Sequence, residues 1–160
     1  EYSIQVKNLA KHYGVEANYH KTVKFDPEIH YEIHKDFEPL FHWESIDVPN
    51  MPHKTTLRYT TFEHAYHHLM VELVLLQVAS IKSAKGSMAI EKLFVDGGFS
   101  DNEVYIQLLS HHFRAMELRT TDSSLGSALG AAICISDTQL NSKFLKKNYS
   151  MKKHIPFIAK

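Results

Sequence analysis

Residues 92–118 set two short apolar runs on either side of a capped helical segment, a pattern with few structural solutions. Lys92-Leu93-Phe94-Val95 has the make-up of a buried strand. Asp96-Gly97-Gly98-Phe99 turns the chain without side-chain obstruction. Ser100 followed by Glu103 then has capping-box spacing for a helix through Phe113, with Val104, Tyr105, Leu108, Leu109 and His112 on its inward side. Ala115-Met116-Glu117-Leu118 supplies a second strand, and strand–helix–strand in one sheet requires a parallel pair with a right-handed crossover. Ser123 or Ser124 caps a further helix over 125–136. Residues 92–136 therefore read as a parallel β–α–β–α unit of an α/β fold.

Upstream, the clearest helix begins at Thr60. Thr60-Thr61-Phe62-Glu63 places Thr60 to accept a backbone N–H and Glu63 to reach back. Phe62, Ala65, Tyr66, Leu69, Met70, Leu73, Leu76 and residues 78–81 keep an apolar stripe at helical period. Val71, Val74 and Leu75 widen it, so this helix is expected to be buried on more than one side. Residues 2–13 read as a helix with Ile4, Val6, Leu9 and Tyr13 inward and Gly14 just past its end. Between them, 15–56 hold Pro27, Pro39, Pro49 and Pro52 and read as irregular chain with short extended pieces at 22–25 and 40–46.

Eighteen basic and eighteen acidic side chains cancel, which argues against a dedicated nucleic-acid binder. The balance is uneven along the chain. No acidic residue follows Asp137, while Lys143, Lys146, Lys147, Lys152, Lys153 and Lys160 do, leaving residues 1–137 with twelve basic and eighteen acidic groups. Residues 137–160 read as a solvated basic tail on a domain spanning 1–136. The single cysteine, Cys134, excludes an internal disulfide framework and reads as an inert core thiol. With no membrane-length apolar run and no signal-peptide core, a cytoplasmic protein without membrane contact is expected. The chain begins at Glu1 rather than Met, as a piece of something longer would.

Chemistry concentrates at Val95-Asp96-Gly97-Gly98-Phe99-Ser100-Asp101-Asn102. A strand ending in two glycines ahead of a capped helix exposes backbone N–H groups and the positive end of a helix dipole. Such an edge admits a phosphate or a flat nucleobase. The spacing matches neither the dinucleotide-binding fingerprint nor a Walker-A loop. Gly126 and Gly130 share a face of the following helix and permit close packing against a neighbour. His64, His67 and His68 have metal-chelating spacing but read as a polar surface face, so no metal site is assigned. His30 and His34 have H-x-x-x-H spacing with Tyr31 where a metalloprotease needs glutamate, which dismisses a protease.

Together, Leu93-Phe94-Val95-Asp96-Gly97-Gly98-Phe99-Ser100-Asp101-Asn102 and Leu125-Gly126-Ser127-Ala128-Leu129-Gly130-Ala131-Ala132 resemble the C-terminal domain of the FGGY carbohydrate kinases. The helix from Thr60 is similar to that family's long helix before its Gly-Gly strand, with Leu73 where a glycine is usual. The resemblance is specific over 57–136, looser over 1–56 and absent over 137–160. It implies part of a ribonuclease-H-like, actin-like ATPase domain, working with ATP and Mg²⁺ to phosphorylate a sugar. Gly97 and Gly98 would approach the phosphate–ribose region through backbone, Ser100 would cap the helix and Asn102 would lie against adenine. The family's Asp-x-Gly-Ser/Thr phosphate loop and its catalytic aspartate have no counterpart here, so no catalytic residue is assigned. The sugar would be bound mostly by another portion, and the fragment is expected to be inactive alone. Open sheet edge would favour self-association or a partner. The alternatives are a non-catalytic interaction module that keeps the fold, and a different actin-like ATPase.

Overall fold

The computed structural model describes residues 1–41, 43, 58–121 and 151–158, and the chain divides into two compact units, Glu1–Ala84 together with Ile158, and Lys85–Phe157. Among the described residues no helix is long and apolar enough to cross a membrane.

The first unit is helical. α1 (Tyr2–Tyr13) ends where Gly14 takes φ 65, and the Gly14 N–H turns back to the carbonyls of Ala10 and Lys11. Its buried face is Val6, Leu9 and Ala10, while Ile4 is 60% exposed. Ile4 thus lies off the face expected for it; Val6, Leu9 and Ala10 lie at i, i+3 and i+4 and form the stripe without it. A 3₁₀ turn, Tyr19–Lys21, follows.

α2 (Pro27–Lys35) corrects the expectation of irregular chain. Asp26 caps it by accepting from the N–H groups of Glu28 and Ile29, Pro27 stands at its first turn, and Ile29 and Ile33 are buried one turn apart. The same helix carries His30 and His34, whose rings lie 6.0 Å apart.

α3 (Phe62–Lys85) runs 24 residues and buries Phe62, Ala65, Tyr66, Leu69, Met70, Val71, Val74 and Val78. Its start falls one residue later than the sequence pattern predicts. Thr61 Oγ1, not that of Thr60, accepts from His64 N (3.4 Å). Glu63 accepts a hydrogen bond from the Tyr19 hydroxyl across the bundle. Gly86, at φ 54, follows its last residue.

The second unit holds a three-stranded sheet in the order β1-β2-β3. β1 (Lys92–Val95) pairs parallel with β2 (Glu117–Thr121), Leu93 opposite Leu118, and α4 (Glu103–His112) connects them. β2 begins two residues later than predicted. β3 (Met151–His154) pairs antiparallel with β2, Leu118 opposite His154 and Arg119 opposite Lys153. Four residues read as solvated basic tail are therefore a strand, and its Lys153 ammonium meets the Glu117 carboxylate at 2.8 Å. A sheet tolerates such lysines at an outer strand, where cross-strand pairing with an acid replaces burial.

Val104, Tyr105, Ile106, Leu108 and Leu109 of α4, with Phe113 and Leu118, form the core of this unit. β1 is less covered than an apolar run implies: it alternates exposed and half-buried, and Phe94 is 53% exposed. Period-two alternation sends Phe94 to the face opposite Leu93 and Val95.

Candidate functional site

The Val95–Asn102 corner lies at the C-terminal end of β1 and leads directly into α4. Gly97 has φ 82, a backbone conformation that L side chains rarely adopt. Among the described residues, a Cβ built on Gly97 or on Gly98 meets no heavy atom within 4 Å, so both glycines border open space there. The turn holds itself together from within. Ser100 N and Ser100 Oγ both donate to the Gly97 carbonyl, at 3.0 Å and 2.8 Å, and Asn102 N donates to the Phe99 carbonyl at 3.1 Å. Asp96 reaches forward, its Oδ1 accepting from Gly97 N at 2.9 Å and from the Thr121 hydroxyl on β2. Asp96 thereby ties the turn to the neighbouring strand of the parallel pair.

The four residues singled out for nucleotide contact are thus together in one turn, with different freedom. Gly97 and Gly98 bring no side chain into the space beside them, although the Gly97 N–H is engaged by Asp96 Oδ1 and the Gly97 carbonyl by Ser100. The Ser100 hydroxyl closes the turn, and it is not the cap of α4. That cap is Asn102, whose Oδ1 accepts from Tyr105 N at 3.0 Å. The helix starts at Glu103 because Asn102, in extended conformation, offers a better-placed acceptor than Ser100, which the turn has already engaged. Electrostatically the corner is acidic: Asp96, Asp101 and Glu103 lie within it and 95–104 contain no basic residue. The glycine-rich stretch Gly126–Ala132, Cys134, and Lys143, Lys146, Lys147 and Lys160 lie outside the described residues.

The first unit contains a polar cluster that the sequence reading assigned to the surface. His67 and His68 are 1% and 0% exposed. His67 Nδ1 donates to the Glu63 carbonyl at 2.8 Å, and its Nε2 accepts from Asp26 N at 3.0 Å. A carbonyl only accepts and an amide N–H only donates, so these partners select the neutral Nδ1–H tautomer. Burial lowers the pKa of His67 below the usual imidazole value. The Glu63 carbonyl and the Asp26 charge oppose that shift in part, and His64 reinforces it.

One residue along, His68 Nδ1 lies 2.7 Å from the Tyr59 hydroxyl and its ring stacks on Phe37 at 5.4 Å. Its Nε2 is 3.1 Å from Glu72 Oε1 yet out of line for a hydrogen bond, so proximity rather than a directed bond joins the two. Glu72 itself is buried and accepts from the backbone N–H groups of Leu40 and Phe41 and from the Trp43 indole N–H at 3.0 Å. The signal for this cluster was present in the sequence. Asp26-Pro27-Glu28 marks a helix start, and a helix at 27–35 gives α3 a neighbour on its histidine-bearing side. What no pattern supplies is the set of backbone donors that make a buried glutamate tolerable.

His64 stays nearer the surface, bonded to Thr61 Oγ1 (2.7 Å) and close to Glu32 Oε2 (3.3 Å). Among the described residues no group of three or more His, Cys, Asp or Glu is arranged to hold a metal ion. No protein-family model matches this chain, and neither does a curated protein or a solved structure.

Proposed function

We propose that this chain is the nucleotide-binding C-terminal portion of an ATP-dependent carbohydrate kinase, with the adenosine phosphate approached by main chain at Gly97 and Gly98. The observation that carries the reading is the open space beside both glycines at the end of a parallel strand, immediately before a helix N-terminus. The residues fit ATP in part. No side chain at Gly97 or Gly98 stands in the approach, but the Gly97 N–H is engaged by Asp96 Oδ1 and the Asn102 carbonyl oxygen is committed to α4, leaving the adenine side to be met by something other than that atom. Mg²⁺ bound to the phosphates would supply the positive charge this acidic corner lacks. The chain's own part is to present main chain without side chains at Gly97 and Gly98, with Asp96 holding the turn against β2 through Gly97 N and the Thr121 hydroxyl. Sugar binding and the base that activates its hydroxyl belong, in this reading, to another portion of the protein.

The test is calorimetric titration with ATP and ADP in the presence of Mg²⁺, on the unaltered chain and on Gly98→Val. An added Cβ at Gly98 meets nothing within 4 Å among the described residues and no positive φ stands in its way, so thermal unfolding of the variant close to that of the unaltered chain serves as the internal control. Weak, saturable nucleotide binding that Gly98→Val abolishes is expected. Flat titrations with every nucleotide, or equal binding by the variant, overturn the reading.

A second reading, a non-catalytic interaction module, is favoured by one observation. The Ser100 hydroxyl and the Asn102 carbonyl oxygen, the polar groups best placed to meet a nucleotide, are spent inside the turn. Flat titrations favour it.

A further inference from the structure

We infer that the His67 clamp is a pH-operated latch in the first unit, releasing the N-terminal end of α2 from α3 on mild acidification while the Leu40–Trp43 end of the same segment stays fastened by Glu72.

The argument begins from the direction of one hydrogen bond. Asp26 N–H points its proton at His67 Nε2, 3.0 Å away, and Asp26 is the residue that caps α2. This contact exists only while Nε2 keeps its lone pair. The opposite ring nitrogen is already a donor, bonded to the Glu63 carbonyl, so the tautomer cannot switch to relieve a second proton. Protonation therefore sets two N–H groups head to head inside a buried contact. A buried donor facing a donor is a lost hydrogen bond with desolvation added, and the segments separate to rehydrate both.

Among the described residues, the groups facing His67 do not offer another way out. From α3 these are the Glu63 carboxylate, which the Tyr19 hydroxyl engages, and His64, whose charge opposes a second one nearby. His68 is its sequence neighbour, held by Tyr59 and beside Glu72. From the 25–35 segment they are Asp26 and, across the Phe25 ring that lies 6.0 Å from both histidines, His30. The Asp26 carboxylate is the one anion that favours the imidazolium from that side, but its Oδ1 already caps Glu28 and Ile29. Turning it toward His67 would uncap α2, so either response loosens the same helix end.

The other end of the segment behaves differently. Leu40, Phe41 and Trp43 donate directly to the Glu72 oxygens, and none of these contacts depends on an imidazole lone pair, although His68 Nε2 lies 3.1 Å from Oε1. The release is therefore directional: α2 frays from its N-cap with 40–43 as the fixed end. Burial also holds His67 below the usual imidazole value, so the closed form binds the proton less well than the open form. Protonation then favours opening in the interval between the folded pKa and the ordinary value near 6.5. The contribution of the latch is complete above that ordinary value and is lost as pH falls.

Amide hydrogen exchange, corrected for intrinsic chemistry, is compared at about pH 7.5 and about pH 5.5, either side of the ordinary imidazole value. Protection at Asp26 and Ile29–Ile33 is expected to fall by up to about tenfold per pH unit across the titration, while Phe41 keeps its protection. Nitrogen chemical shifts of His67 in the unaltered chain are expected to show Nδ1–H with an accepting Nε2 at the higher pH. His67→Gln retains a carbonyl acceptor for Asp26 N–H but has no proton to gain, and its α2 protection is expected to be pH-independent. Parallel loss at Phe41 and α2, unchanged α2 protection in acid, or the opposite tautomer overturns the latch. So does a folded His67→Gln chain with unaltered acid sensitivity. If that variant does not fold, the tautomer and the contrast between α2 and Phe41 in the unaltered chain decide the matter.

Discussion

Replacing Glu72 probes whether a buried carboxylate fastens the 40–43 segment. Its two oxygens accept from Leu40 N, from Phe41 N and from the Trp43 indole N–H, and His68 lies 3.1 Å away. Glu72→Ala leaves those donors without an acceptor. Leu40 is half-buried and rehydrates readily, but Phe41 and Trp43 are 6% and 8% exposed. Two stranded donors at about 1–3 kcal/mol each give a loss of about 2–6 kcal/mol before any cavity term. Glu72→Gln keeps one acceptor and sheds the carboxylate's desolvation penalty, but turns an NH₂ group toward donors; a loss of about 2–3 kcal/mol is expected. Against a whole-domain stability of about 5–15 kcal/mol, the alanine variant sits near the edge of folding. Trp43 is the sole tryptophan, so urea unfolding followed by its emission reports the clamp directly. Gln77→Ala, on the exposed side of α3, is the control and should stay within about 0.5 kcal/mol of the unaltered chain. A Glu72→Gln midpoint indistinguishable from that control, with Trp43 no more accessible to iodide quenching, would refute the reasoning.

The corner in the second unit yields further expectations. Asn102→Ala should cost about 1 kcal/mol through the lost cap of α4, read by thermal unfolding. Gly97→Ala, forced into φ 82, should cost about 1–2 kcal/mol where Gly98→Ala is close to neutral; equal effects would show that the turn is not strained as described. Burial, reinforced by Lys152, holds His154 below the ordinary imidazole pKa beside Thr120 Oγ1 (2.8 Å). Its lowered folded value means that the sheet is fully supported above about pH 6.5 and weakens as pH falls, measurable from β3 amide exchange. Glu117 is held below the usual carboxylate range by Lys153 and then Arg119, so that contribution is present above the carboxylate's ordinary pKa and lost in acid. Added salt should shrink it, since all three side chains reach water.

Much of the local structure was legible in residue patterns. Gly14 ends α1 for the reason a residue without Cβ is needed at positive φ, and the apolar stripe from Phe62 produces α3. The run Lys92–Val95, the glycine pair and the apolar spacing from Val104 announce strand, turn and helix in order. The turn also keeps its four singled-out residues together, because a six-residue stretch has little freedom to separate them. α2 was missed because its two buried isoleucines are few, although Asp26-Pro27 is a helix start in itself.

Sequence by itself thus determined where chain segments become helix or strand, since period, caps and glycines act within a few residues of one another. Tertiary structure alone decided which polar groups went inside. His67, His68 and Glu72 lie on a helix whose pattern leaves them looking solvent-facing, and they are buried because distant residues bring partners to them: the Asp26 N–H to His67, the Tyr59 hydroxyl to His68, and the N–H groups of Leu40, Phe41 and Trp43 to Glu72. Met151–His154 is likewise decided by a distant partner but without burial: its backbone pairs with β2 and Lys153 meets Glu117 while the strand stays largely exposed. Burial of a polar group depends on its partner, and the partner is a property of the fold.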